Sequence, residues 1–189
     1  MGAETLARDE AIRVDPIHAL IRAGDFRTAA GHCARDHGKS IGRLCMSWLG
    51  SQAEAEEASQ ETLIAAFDAM PGYRGEGTVR SWLFGIARRV CARRTETRVR
   101  REARLRLVRG DENEAPGADT LLAVRHRAER VREALATLKP SERDAVVLRY
   151  ESELSFKEVA EACGIDEAAA RKRVSRALER LRGELGEER

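Results

Sequence analysis

The stretch that decides the fold runs from Leu154 to Leu185. It reads Leu154-Ser-Phe-Lys-Glu-Val-Ala-Glu-Ala-Cys163, then Gly164-Ile165-Asp166, then Glu167-Ala-Ala-Ala-Arg-Lys-Arg-Val-Ser-Arg-Ala-Leu-Glu-Arg-Leu-Arg-Gly-Glu-Leu185. Phe156, Val159, Ala160 and Cys163 recur at helical spacing and predict a first helix with one buried stripe. Gly164 supplies the tight or left-handed backbone that a turn between helices demands. Asp166 is placed to cap a second helix by accepting orphan N–H bonds, and Glu167 suits the positive end of its dipole. Ala170, Val174, Ala177, Leu178 and Leu181 form the packing face of that helix. Arg171, Lys172, Arg173, Arg176 and Arg180 fall mostly on the other side. A short helix, a turn glycine and a basic second helix point to duplex DNA as the ligand. The plain alternative is a solvated helix whose arginines pair with Glu179 and Glu184.

Outward from this motif, composition favours an all-helical chain of 189 residues, because aromatics make up only 4% and Ala, Leu, Arg and Glu dominate. The 34 basic and 32 acidic residues nearly cancel, but acids crowd Glu54 to Glu61 while arginines crowd Arg88 to Arg109. That split assigns one surface to nucleic acid and another to a protein partner. No apolar run is long enough for a bilayer, and Met1 to Val14 do not read as a signal peptide. Cys33, Cys45, Cys91 and Cys163 have no framework spacing, which fits reduced thiols and a cytoplasmic location.

Residues 1–14 are polar and are expected to fray. Asp15-Pro16 opens a helix to about Ala23, Gly24-Asp25 starts a second to about Asp36, and a third runs from Lys39 to Leu49. Ser51 with Glu54 reads as a capping box for a helix over about 52–69. Met70 to Gly77 is a loop, and a long helix follows from near Thr78 to about Val108. The acidic stretch 109–118 reads as a flexible linker. Helix resumes near Asp119, breaks at Lys139-Pro140 and restarts to Tyr150. The expected architecture is two small helical domains, 15–108 and 119–189, the second ending in the helix-turn-helix.

Two segments together resemble a known family. The first is Gly50 to Phe67, followed by Tyr73-Arg-Gly-Glu-Gly77 and Val79-Arg-Ser-Trp-Leu-Phe-Gly-Ile-Ala-Arg88. The second is Leu135-Ala-Thr-Leu-Lys-Pro-Ser-Glu-Arg143, Leu148-Arg-Tyr150 and the helix-turn-helix. They are similar to regions two and four of bacterial RNA polymerase sigma factors of the extracytoplasmic-function group. The resemblance implies a protein that binds core polymerase and directs promoter recognition and opening. Region two would read and open the −10 element, and region four would read the −35 element. An anti-sigma factor is a further expected partner. Catalysis stays with polymerase, so no catalytic residue and no cofactor is expected.

Under that resemblance Glu57, Gln60 and Glu61 match the surface that meets core polymerase. The loop 71–77 lies where the family holds a flipped-out base, with Tyr73 and Arg74 beside it and Arg80, Arg88, Arg89 and Arg93 on the basic helix that follows. Trp82, Leu83, Ile86 and Val90 are expected to pack the core. Arg171, Lys172, Arg173 and Arg176 would contact the −35 element. Two departures stand out: Arg89 replaces a frequent asparagine, and Ala168-Ala169-Ala170 replaces a frequent Gly-Thr-Val. Asp111 to Glu114 would thread the nucleic-acid channel of polymerase, or serve only as a tether.

Cys33, His37 and Cys45 are weak metal candidates whose spacing is not a zinc pattern. The rival functions are a helix-turn-helix regulator that binds duplex DNA without polymerase, and a sigma-like decoy. An enzyme is disfavoured, since no Walker motif, serine triad or HExxH occurs.

Overall fold

A computed structural model describes residues 15–109 and 122–186, and among these the chain is helical throughout with no strand. The expectations placed on residues 1–14 and on the linker at 110–118, including Asp111 to Glu114, lie outside the described residues.

Helix α1 (Pro16–Arg22) starts as its sequence requires: the Asp15 carboxylate accepts from the Ile17 and His18 amides, and proline occupies the first turn. Gly24, at φ +78°, turns the chain into α2 (Phe26–Leu49), capped by Asp25. Here the structure corrects the expectation of two helices. The helix passes through Gly38 unbroken, because Cys33, Ile41, Leu44, Cys45 and Trp48 keep one buried face in phase across it. Gly50, in the left-handed region at φ +73°, ends it.

Ser51 caps α3 (Gln52–Ala69) through the Glu54 amide. The return half of the expected capping box is replaced, since the Glu54 carboxylate pairs with Arg98. A 3-10 turn (Met70–Gly72) leads into the loop. Helix α4 (Val79–Arg109) then crosses both α2 and α3. Phe84, Leu83, Ile41, Leu44 and Met70 are the largest fully buried side chains of this first half. Each contributes about 1.5–3 kcal/mol by leaving water.

The second half comprises α5 (Leu122–Thr137), α6 (Pro140–Tyr150), α7 (Phe156–Cys163) and α8 (Glu167–Gly186). Leu148, Leu154 and Val159 centre its core. Ser155 and Glu158 form a full capping box at the start of α7, and Gly164 ends that helix at φ +67°. The Asp166 carboxylate then accepts from the Ala169 amide at 2.7 Å and caps α8.

The two halves pack against each other, and this positions every functional surface. The main contact sets α4 against α7. Gly85 makes it possible, since a methyl group there would stand 3.1 Å from the Ala162 carbonyl oxygen. At the other end Arg143 of α6 donates to the Trp48 and Ser47 carbonyls at 2.8 and 3.3 Å. A guanidinium at the carboxyl end of α2 also complements its dipole. No helix among the described residues is long and apolar enough to cross a membrane.

Candidate nucleic-acid and polymerase interfaces

The loop between α3 and α4 builds a pocket of about 380 Å³. Tyr73 forms a rigid wall: its hydroxyl donates to the Gly77 carbonyl at 2.8 Å, and its ring lies 4.8 Å from Trp82 and edge-on to His18 at 5.5 Å. Burial pushes the Tyr73 hydroxyl pKa well above its ordinary value, with Asp15 and Glu161 adding to the shift. Gly75, at φ +71°, sits directly against the His18 imidazole, so a side chain there would collide with it. Trp82 packs against the core as expected but is only half-buried, so it also lines the pocket beside Tyr73; Leu83, Ile86 and Val90 are buried as the pattern indicated.

A carboxylate from the helix-turn-helix occupies the mouth of this pocket. Glu161 of α7 accepts the Ser81 hydroxyl at 2.7 Å and the Thr78 amide at 3.4 Å. Its neighbour Glu158 accepts the Thr78 hydroxyl at 3.1 Å. Thr78 and Ser81 also form the start of α4, where the Thr78 hydroxyl accepts the Ser81 amide. An acidic group at this amino-terminal end of a basic helix takes the position that suits an anion.

The arginines expected near the −10 element divide into three groups. Arg80 donates to the Ser152 carbonyl, and Arg88 pairs with Asp144 at 3.0 Å, so both are held by the second half of the chain. Burial raises the Asp144 pKa, an effect that Arg88, Arg143 and Arg173 oppose. Arg93 pairs with Glu61. Arg74 and Arg89 are exposed. Burial and the charge of Arg88 lower the Arg89 pKa. Arg98, which the pattern had grouped with the basic surface, instead binds the Leu49 carbonyl and Glu54, each at 3.2 Å.

On α3 the acidic candidates are already paired. Arg94 donates to Glu57 at 3.0 Å and to Glu61 at 2.9 Å. Partial burial alone would raise the Glu61 pKa, but hydrogen bonds from Arg94 and Arg93 outweigh it and hold it below 4.5. Gln60 is exposed between them. The structure buries Ala66 and Met70 but leaves Phe67 45% exposed, next to Ile64 at 64%. Ile64 and Phe67 thus form an outward apolar pair on the helix that carries Gln60.

In the helix-turn-helix, Lys172 and Arg176 are exposed and Arg173 is half-buried. Arg171 pairs with Glu167 and lies 4.4 Å over the Phe156 ring, with Arg149 at 5.0 Å. Phe156 therefore packs against the core while its ring carries two guanidinia. Arg180 pairs with the buried Glu142 at 3.5 Å.

Sequence reasoning also missed an apolar groove of about 650 Å³. It lies between Met46 of α2, Leu135 of α5, Tyr150 of α6 and Leu181 of α8. The signal was present in Leu178 and Leu181, which pack against the core as read and also line this open groove. The metal candidates Cys33, His37 and Cys45 do not gather into a cluster of three or more ligand side chains among the described residues. Cys45 lies against Cys91, with which it shares a hydrogen bond.

Comparison with known proteins decides what this arrangement belongs to. Residues 33–105 match Sigma-70 region 2, and residues 128–181 match Sigma-70, region 4. The ECF RNA polymerase sigma factor SigC of Mycobacterium tuberculosis is 31% identical over 142 residues, spanning 72% of each chain. The chain belongs to the extracytoplasmic-function group of RNA polymerase sigma factors. RNA polymerase sigma factor CnrH of Cupriavidus metallidurans is 27% identical, over 88% of this sigma factor and 92% of CnrH.

Two solved structures share the fold. CnrH in complex with the cytosolic domain of CnrY matches at a TM-score of 0.68 and 22% identity, over 92% of this chain and 97% of that one. The sigma factor RpoE in complex with the anti-sigma factor NepR, from Bartonella quintana, matches at 0.60 and 23%, over 82% and 96%. This sigma factor is thus a transcription initiation protein with a DNA-binding helix-turn-helix.

Proposed function

We propose that the three surfaces divide the work of initiation among themselves. The α3 face carrying Glu57, Gln60 and Glu61, extended by Ile64 and Phe67, meets core polymerase. The loop pocket with Tyr73 and Arg74, and the arginines 80, 88, 89 and 93 of α4, take the opened −10 element. Lys172, Arg173 and Arg176 of α8 take the −35 element, Arg171 serving chiefly to hold Phe156 in place. The observation that carries this reading is the pocket itself, an aromatic-walled hollow at the start of an arginine-lined helix. Duplex binding alone requires no such pocket, whereas holding an unstacked base does.

The packed arrangement is the latent one. Glu161 fills the pocket mouth, and Arg80 and Arg88 are bound to the second half. Promoter engagement therefore requires the two halves to part, and polymerase binding shifts that equilibrium. A regulatory protein partner that held them together would oppose it. The apolar groove is suited to such a partner, because its walls come from both halves.

The test is run-off transcription with purified core polymerase and a library of upstream fragments, with and without this protein. Discrete starts that depend on the protein are expected, and alanine at Tyr73 or at Phe67 should reduce them by different routes. Loss of core binding should account for the Phe67 effect, and loss of opening for the Tyr73 effect. Specific duplex binding with neither starts nor core binding would overturn the reading in favour of a stand-alone regulator.

A further inference from the structure

On the reading that the loop pocket seats an unstacked −10 base, we infer that α1 braces it. His18 is the positioning residue that fixes the shape of the pocket and with it the base preference. Helix α1 spans Pro16–Arg22 and lies outside residues 33–105, the segment matched to region 2. His18 is not one of the residues that line the pocket. It acts on the pocket through the loop that forms one side of it.

The sequence anchors this histidine. Ile17 and Ile21 are buried and fasten α1 to the core. The Asp15 carboxylate accepts the Ile17 and His18 amides at 2.9 and 3.4 Å and closes the first turn. His18 is itself buried, and its imidazole meets the loop at two points. It lies edge-on to Tyr73, with ring centroids 5.5 Å apart and planes 72° to each other. It also abuts Gly75, where an added β-carbon would stand 2.4 Å from the imidazole Cε1.

Tyr73 is thereby held by the His18 edge, by Trp82 at 4.8 Å and by its own hydroxyl on the Gly77 carbonyl. Trp82 and Gly77 line the pocket, so an entering base meets them directly. His18 stands outside, and its contact is kept when the pocket is filled. Helix α1, Tyr73 and Gly75 all belong to the first half, so the contact also survives the parting of the two halves. A wall ring fixed before the base arrives loses no rotamer freedom on binding, and a rigid wall discriminates by shape.

The test uses the full chain with core polymerase and the promoter that run-off transcription identifies. Each −10 position is changed to all four bases, and transcript yield gives the base preference at each. Tyr73→Ala marks the pocket position as the one whose preference it flattens. His18→Ala should flatten that same position by about 3- to 10-fold, the worth of one aromatic contact. Other positions and core affinity should stay near their parent values. Gly75→Ala drives a methyl group into the imidazole and should act likewise; it tests the contact with His18 in place, whether or not His18→Ala folds. In the double substitution the methyl group has room, so the combined loss should be smaller than the product of the single losses. Equal losses at every −10 position, or losses that multiply in the double substitution, would give His18 a general structural role and overturn the inference. An unchanged preference in both single variants also overturns it while the pocket reading stands. If Tyr73→Ala flattens no position, the pocket reading fails and takes the role of His18 with it.

Discussion

Replacing Glu161 with alanine should convert the latent chain into one that takes single-stranded promoter DNA without polymerase. The Glu161 carboxylate accepts the Ser81 hydroxyl at 2.7 Å and, more weakly, the Thr78 amide at 3.4 Å. Hydrogen bonds to a charged group contribute about 1.5–3 kcal/mol, and the half-buried setting places this pair near the lower end, about 2 kcal/mol. At 1.4 kcal/mol per decade, the parted form gains roughly 30-fold relative to the packed one. Apparent affinity scales with the fraction of competent protein. A labelled oligonucleotide of the non-template −10 strand should therefore bind up to about 30-fold more tightly, read by fluorescence anisotropy. Small-angle scattering on the free protein should show a larger radius of gyration. Loss of a negative charge alone also favours DNA, so the salt dependence must be compared. An unchanged slope of log affinity against log salt indicates gating, since no phosphate contact is added. Unaltered scattering together with unaltered affinity would refute the reasoning, because Glu161 would then not hold the halves together.

Three further expectations follow from the same geometry. Phe67→Ala removes an exposed ring, so the melting temperature should change little while core polymerase affinity falls about 5- to 30-fold, measured by surface plasmon resonance. Lys172→Ala and Arg176→Ala should each weaken duplex binding, a phosphate contact being marked by a salt slope shallower by about one. Glu61→Gln tests the arginine pairs by pH. The folded pKa of Glu61 lies below its unfolded value near 4.5, so its contribution is present above that pH and is lost as pH falls through the folded value. The pair is partly exposed, which limits the contribution to roughly 1 kcal/mol. Melting curves of parent and variant should differ at pH 7 and converge as pH falls below the ordinary carboxylate range; a constant gap would show that packing, not charge, separates them.

The elements themselves were legible from local chemistry. Asp15-Pro16 and Gly164-Asp166 each satisfy or end a helix through groups within four residues, so reading the chain in order suffices. Gly38 shows the limit of that approach. A glycine lowers helix propensity locally, but the aligned face from Cys33 to Trp48 is buried by α3 and α4, and burial outweighs propensity. Phe67 shows another limit. Helical period places a residue on an apolar face without telling whether a neighbour covers that face.

The candidate site was legible as three separate surfaces: the acidic helix, the glycine loop with its basic helix, and the helix-turn-helix. Family and helical content followed from the sequence, because they depend on composition, period and motif. The tertiary structure alone decided which charges are committed. Glu161 meets Ser81, Asp144 meets Arg88, and Arg143 meets the end of α2 across separations that no local pattern encodes. A charge's availability to DNA depends on its neighbours in space, and those are set by the packing of α4 on α7 through Gly85 and Ala162.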